Sequence, residues 1–93
     1  MNNKEDFYHK LKIQLDDTTA FPADYLFKFI VPAAENQVVE VESIFNNTGA
    51  VMTTKKSKTG RYVSVSVLLK LNSSDEIITF YEKAGKIKGI ISL

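Results

Sequence analysis

The chain has no cysteine, a single histidine, two prolines and four glycines in 93 residues. The missing thiols exclude disulfides, thiolate nucleophiles and thiolate-held metals together. With one histidine, His9, a transition-metal site would rest on carboxylates alone, a poor ligand set for such ions. No neighbouring residue offers His9 a partner for general-base work, so it reads as a surface side chain. Gly49, Gly60, Gly85 and Gly89 stand apart from one another, which leaves no glycine-rich phosphate loop. Ser64 and Ser66 lack the Gly-x-Ser-x-Gly turn that would arm a serine nucleophile. Glu35, Glu40 and Glu42 lie on one helix flank without the geometry of an acid–base pair. The residues therefore nominate no catalytic group, no metal and no cofactor.

Long apolar runs are absent too. No segment approaches the ~18 apolar residues of a membrane helix, and Met1–Asp6 has no apolar core of a secretory signal. A cytoplasmic protein without membrane contact is expected, which makes the sequons at Asn46 and Asn72 chance matches. Charge of one sign is missing as well. Twelve Lys+Arg against 11 Asp+Glu leave a net charge of +1, so no global field points to nucleic acid or acidic lipid. At 44% hydrophobic and 25% charged residues the composition is that of a folded domain rather than a disordered chain.

What is present begins with Gly60–Leu71. Val63, Val65, Val67, Leu69 and Leu71 occupy every second position, with Ser64, Ser66, Leu68 and Lys70 between them. Alternation across a strand makes one greasy face and one mostly polar face. A first strand, Asp24–Val31, repeats the pattern with Tyr25, Phe27, Phe29 and Val31 against Leu26, Lys28 and Ile30. Between these strands, residues 34–46 set Ala34, Val38, Val41 and Phe45 on one helical stripe, closed by Asn47-Thr48-Gly49. A strand over Ala50–Ser57 turns at Lys58-Thr59-Gly60 into the alternating run. Ser73 and Glu76 spell a capping box for the next helix, whose stripe is Ile77, Phe80, Tyr81 and Ala84 and whose end is Gly85. On this reading Ser73→Ala loses a cap and Ser74→Ala loses much less. A last strand is expected over Lys86–Leu93, with Ile87, Ile91 and Leu93 on one face. Ahead of all this, residues 4–15 form an amphipathic helix through Phe7, Tyr8, Leu11 and Leu15, with Asn3 as its cap.

The order β-α-β-β-α-β after the first helix predicts an α+β ferredoxin-like sandwich: a four-stranded antiparallel sheet with two helices on one face. Residues 1–20 are the N-terminal helix and turn, and residues 21–93 the domain. Phe21-Pro22…Tyr25…Phe27-Lys28…Val31, the helix with Val38 and Val41, the hairpin Lys55–Val65, Ile77…Phe80-Tyr81…Ala84…Ile87 and the terminal Ile-Ser-Leu resemble the YbeD-like family of small bacterial proteins. Its most distinctive piece here is Lys-Ser-Lys-Thr-Gly-Arg-Tyr-Val-Ser-Val. The resemblance covers roughly Phe21–Leu93. It implies a fold similar to ACT regulatory domains, small ligand-binding modules that stand beside enzymes, and it brings no established activity. ACT-type domains hold an effector at the first strand–helix loop with Asp and Gly. Residues 31–35 of this chain contain neither.

Lys55, Lys56, Lys58, Arg61 and Lys70 lie in a stretch between Glu42 and Asp75 that holds no acid. Together with Lys28 they are the candidate partner-binding residues, suited to an acidic protein or a small anionic effector. The plainer alternative is a solvated hairpin whose lysines guard an outer strand. An uncovered sheet face bearing Lys28, Ile30, Ser64, Ser66, Leu68, Lys70 and Ile90 is too apolar to stand bare. The N-terminal helix or a second subunit, as in a homodimer, would cover it. These features point to a non-enzymatic regulatory or partner-binding module. An acylphosphatase-like enzyme would need an arginine at the first strand–helix loop, and the only arginine is Arg61. Nucleic-acid binding through the hairpin would be strongly salt-dependent. The third strand carries no ladder of stacking aromatics, which argues against an RRM-type mode.

Overall fold

The alternating segments pair as one antiparallel sheet in the order β2-β3-β1-β4, built from β1 (Ala23–Pro32), β2 (Val51–Lys56), β3 (Tyr62–Leu71) and β4 (Ile91–Ser92). This computed structural model describes residues 3–34 and 36–93, and side chains from Glu5 onward within that span. β1 and β3 run side by side over their whole length, with Phe27 opposite Val67 and Phe29 opposite Val65. That register puts the apolar parity of both strands on the same side. Phe27, Phe29, Val31, Val65 and Val67 are fully buried there, and α2 (Gln37–Ile44) and α3 (Ser74–Ala84) cover them. Phe27 sits at the centre of an aromatic cluster, with ring centroids 4.8 Å from Tyr25, 5.1 Å from Tyr81 and 5.2 Å from Phe45. The expected sidedness of the first strand is what the structure shows.

The helix ends follow local chemistry. Ser73 accepts a hydrogen bond from Glu76 N–H at 3.3 Å, as the capping box predicts. The Glu76 carboxylate, however, reaches one residue further back than expected, to Asn72 N–H at 2.6 Å. α2 is shorter than the predicted 34–46. Val41 and Phe45 are buried as expected, but Ala34 is exposed, and Gln37 takes the first inward position. Glu35 and the Asn3 side chain lie outside the described residues. Asn47 and Gly49 both adopt positive φ and turn the chain into β2. Gly85 ends α3 in a right-handed conformation. A Cβ there would lie 3.3 Å from the Tyr81 carbonyl oxygen, a tight approach to α3 itself, and in ordinary contact with the Tyr8 hydroxyl of the first helix at 3.5 Å.

Two expectations change. The last strand is two residues long, because residues 86–90 turn: Ile90 N–H bonds Ile87 O, and Gly89 has φ +77°. A Cβ on Gly89 would stand 2.9 Å from the Pro32 ring, so only glycine fits. The turn breaks the parity expected for the segment. Ile87 is buried in the helix-side core, Ile90 packs partly against it, and Ile91 lies opposite Ile30.

The N-terminal helix, α1 (Asn3–Thr18), does not cover the sheet. It packs on α3, in the helix layer, through half-buried Tyr8 and Leu11 and buried Leu15; Phe7 of the predicted stripe stays 61% exposed. A polar clasp fixes this docking. The Ser74 hydroxyl, on a residue only 2% exposed, donates to Asp16 at 2.5 Å. Lys12 Nζ reaches Ser74 Oγ at 3.1 Å, Asp75 at 3.1 Å and Asp16 at 3.3 Å. Hydrogen bonding to Asp75, then to Asp16, raises the Lys12 pKa, and the hydrogen bond from Ser74 chiefly lowers that of Asp16. Ser74 therefore has a role that its place beside the cap concealed.

Candidate functional site

Because both helices and α1 occupy one side, the other face of the sheet is bare. Register defines its members. Leu26 lies opposite Leu68 and then Val51, Lys28 opposite Ser66 and Thr53, and Ile30 opposite Ser64 and Lys55. Ile91 extends the row beyond Ile30, and Tyr62 stands opposite Pro32 at the hairpin end. Leu26 is 58% exposed, Val51 63%, Ile91 51%, Tyr62 47% and Leu68 44%. Soluble surfaces carry scattered apolar residues, but here they gather on one flat face. Leu26, Leu68 and Val51 stand at one end, Ile30, Ile91 and Tyr62 at the other, and the polar row Lys28, Ser66 and Thr53 lies between. Such a grouping marks a contact surface. Of the residues expected on this face, Lys28, Ile30, Ser64, Ser66, Leu68 and Lys70 are there. Ile90 is not, and Ile91 takes its place. Leu26, Val51, Thr53, Lys55, Tyr62 and Ile91 complete it. The parity of Leu26 with Lys28 was readable in the sequence, whereas Val51 and Thr53 needed the hairpin register.

The basic residues separate into three places. Lys28 is central on the bare face. Lys70 lies opposite Asp24, so strand pairing brings an acid to a lysine whose sequence neighbours include none. Six residues of strand, about 20 Å, separate its position from Ser64 at the hairpin end. Lys55, Lys56 and Lys58 gather at that end, where they line a groove of about 450 Å3 with Ile30, Tyr62 and Ser64. Arg61 is outside the groove lining. Its carbonyl accepts from Ala33 N–H at 2.9 Å, which ties the hairpin base to the β1–α2 loop. All six basic side chains are exposed. The ion pairs among the described residues lie within α1 and between α1 and α3, so none involves these six. The hairpin itself is well held: Ser57 N–H to Tyr62 O is 2.8 Å, Gly60 N–H to Ser57 O is 3.0 Å, and Gly60 has φ +75°.

Elsewhere, His9 is exposed on α1. Tyr25 and Tyr81 hydroxyls share a 2.8 Å hydrogen bond, and burial, followed by this bond, pushes the Tyr81 pKa up. Among the described residues no cluster of three or more His, Asp or Glu could hold a metal ion, and no helix is long and apolar enough to cross a membrane.

Comparison with known proteins places this architecture. The chain is 31% identical over 80 residues to the UPF0250 protein YbeD of Escherichia coli O1:K1, covering 83% of this chain and 92% of the relative. The same figures hold for the YbeD protein of Shigella boydii serotype 18. Among solved structures, an uncharacterized protein of Thermotoga maritima superposes with a TM-score of 0.64 at 18% identity, covering 75% of this chain and 90% of that one. The ACT domain of the GTP pyrophosphokinase of Chlorobium tepidum superposes with a TM-score of 0.57 at 12% identity, over 76% of this chain and all of that domain. The ferredoxin-like, ACT-like fold is thereby established. Residues 16–93 match the family described as "Protein of unknown function (DUF493)", a span that begins at the Asp16 of the α1 clasp, and the chain belongs to that family.

Proposed function

We propose that this chain is a non-enzymatic regulatory module that works by docking a protein partner on its bare sheet face. The observation that carries the reading is the placement of α1. The chain spends its own amphipathic helix on α3 and leaves Leu26, Val51, Leu68 and Ile91 in water around Lys28. The fold shared with the ACT domain of a GTP pyrophosphokinase supports a regulatory role of this kind.

The charge of the face selects the partner. A second copy stacked about a two-fold axis through the sheet centre would bring its Lys28 against this one, with no acid nearby but Asp24 at one end. A partner presenting aliphatic side chains flanked by carboxylates suits the same face without that repulsion. The test is affinity capture from native lysate with the wild-type chain, Leu68→Asp, and Lys28→Glu. Both variants lose the same acidic interactor, while Lys86→Glu, away from the face, keeps it. If both variants retain every interactor, or if Leu68→Asp merely converts a dimer to a monomer, the reading is wrong.

A further inference from the structure

The hairpin end of the bare face carries a second feature, the groove lined by Lys55, Lys56, Lys58, Ile30, Tyr62 and Ser64, of which Ile30, Lys55, Tyr62 and Ser64 also belong to that face. We propose that it is a binding site for a small molecule that joins a phosphate to a flat ring, a ligand of nucleotide class. Lys55, Lys56 and Lys58 line the groove, and none is ion-paired among the described residues. Lysine stems are long and their heads carry three donors each, so several can converge on one phosphate. A bare charge cluster would attract any anion. The groove adds shape to charge: the half-exposed Tyr62 ring and the Ile30 side chain give it an apolar wall against which a flat ring stacks.

One polar group is oriented. Ser64 Oγ donates its proton to Lys55 O at 3.3 Å, which leaves its lone pairs to accept from a ligand N–H or O–H. A volume of about 450 Å3 lies within the usual range of small-molecule sites. The turn is preformed as well: the Ser57 hydroxyl accepts from Tyr62 N–H at 3.2 Å, in addition to the backbone bonds around it. A site that is already ordered loses less entropy on binding. The inference does not rest on the docking of a partner. Leu68 lies outside the groove, so Leu68→Asp can abolish docking and leave the ligand site intact.

The experiment is amide NMR of the full chain titrated separately with adenosine monophosphate, adenosine and inorganic phosphate. The nucleotide is expected to shift amides of residues 55–64 and Ile30 saturably, with adenosine and phosphate each binding at least about tenfold more weakly. Lys55→Ala with Lys58→Ala weakens the nucleotide about tenfold, whereas Lys86→Ala has no effect. Tyr62→Leu weakens the nucleotide and leaves phosphate unchanged. The same spectra report that each variant is folded. Phosphate alone matching the nucleotide would reduce the groove to an unspecific basic patch. Absence of saturable shifts, or shifts centred elsewhere, would equally overturn the proposal.

Discussion

Replacing Phe27 by alanine tests the sidedness on which the account of the sheet depends. Phe27 is fully buried, and its ring centroid lies within 5.9 Å of those of Tyr25, Phe29, Phe45, Phe80 and Tyr81. Losing the transfer of a buried aromatic side chain and leaving a cavity costs about 3–5 kcal/mol. Rings packed from both the sheet and two helices cannot easily collapse onto the gap, so the upper half of that range, about 4 kcal/mol, is expected. A chain of this length has a total stability of roughly 5–14 kcal/mol. The single change thus removes between a third and most of it, and lowers the melting temperature by roughly 15–30 °C. Lys28→Ala, one residue on and exposed, changes stability by less than about 0.5 kcal/mol. Urea melts of the two variants beside the wild type measure the difference. A loss below about 1 kcal/mol for Phe27→Ala, or a larger loss for Lys28→Ala, would refute the assignment of faces.

Further outcomes follow from the helix ends and the clasp. Ser73→Ala removes the α3 cap at a cost of about 1 kcal/mol. Ser74→Ala costs about 0.5–1.5 kcal/mol, because it removes the part-buried hydrogen bond to Asp16; chemical melts measure both, and a negligible effect at Ser74 would contradict the clasp. Asp16 has a lowered pKa in the folded chain, so its contribution is fully present above the ordinary carboxylate value of about 4 and is lost as pH falls through the folded value. The melting-temperature gap between wild type and Asp16→Asn should therefore close below about pH 4. Lys12 has the opposite sign: its raised pKa stabilises below about pH 10.4, and the contribution fades as pH rises through the folded value. A gap between wild type and Lys12→Met that persists unchanged into strong alkali would contradict the pairing.

Much of the fold was legible because period two and period 3.6 are local signals. The alternation through Phe27, Phe29, Val65 and Val67 identified the buried face, and Ser73 with Glu76 marked the start of α3. Two features were not local. The stripe of Tyr8, Leu11 and Leu15 says that α1 must pack, but its address is written in Lys12, Asp16 and Ser74, up to 62 residues apart. The short β4 follows from Gly89 meeting Pro32, a contact between chain segments that no window of sequence contains. For the site, the acid-free stretch found the lysines but overstated their unity. Strand register sent Lys70 to Asp24, and it added Val51 and Thr53 to the face, while Lys55, Lys56 and Lys58 stayed together.

The central claim, that the bare sheet face is the working surface, is tested most directly by lysine acylation footprinting of the free chain and of its native complex. Reactivity at each lysine is read by mass spectrometry. The account predicts that Lys28 and Lys55 become protected in the complex, while Lys10 on α1 and Lys83 on α3 remain as reactive as in the free chain. Protection of Lys10 and Lys83 with Lys28 and Lys55 left reactive would place the partner on the helix layer and contradict the account.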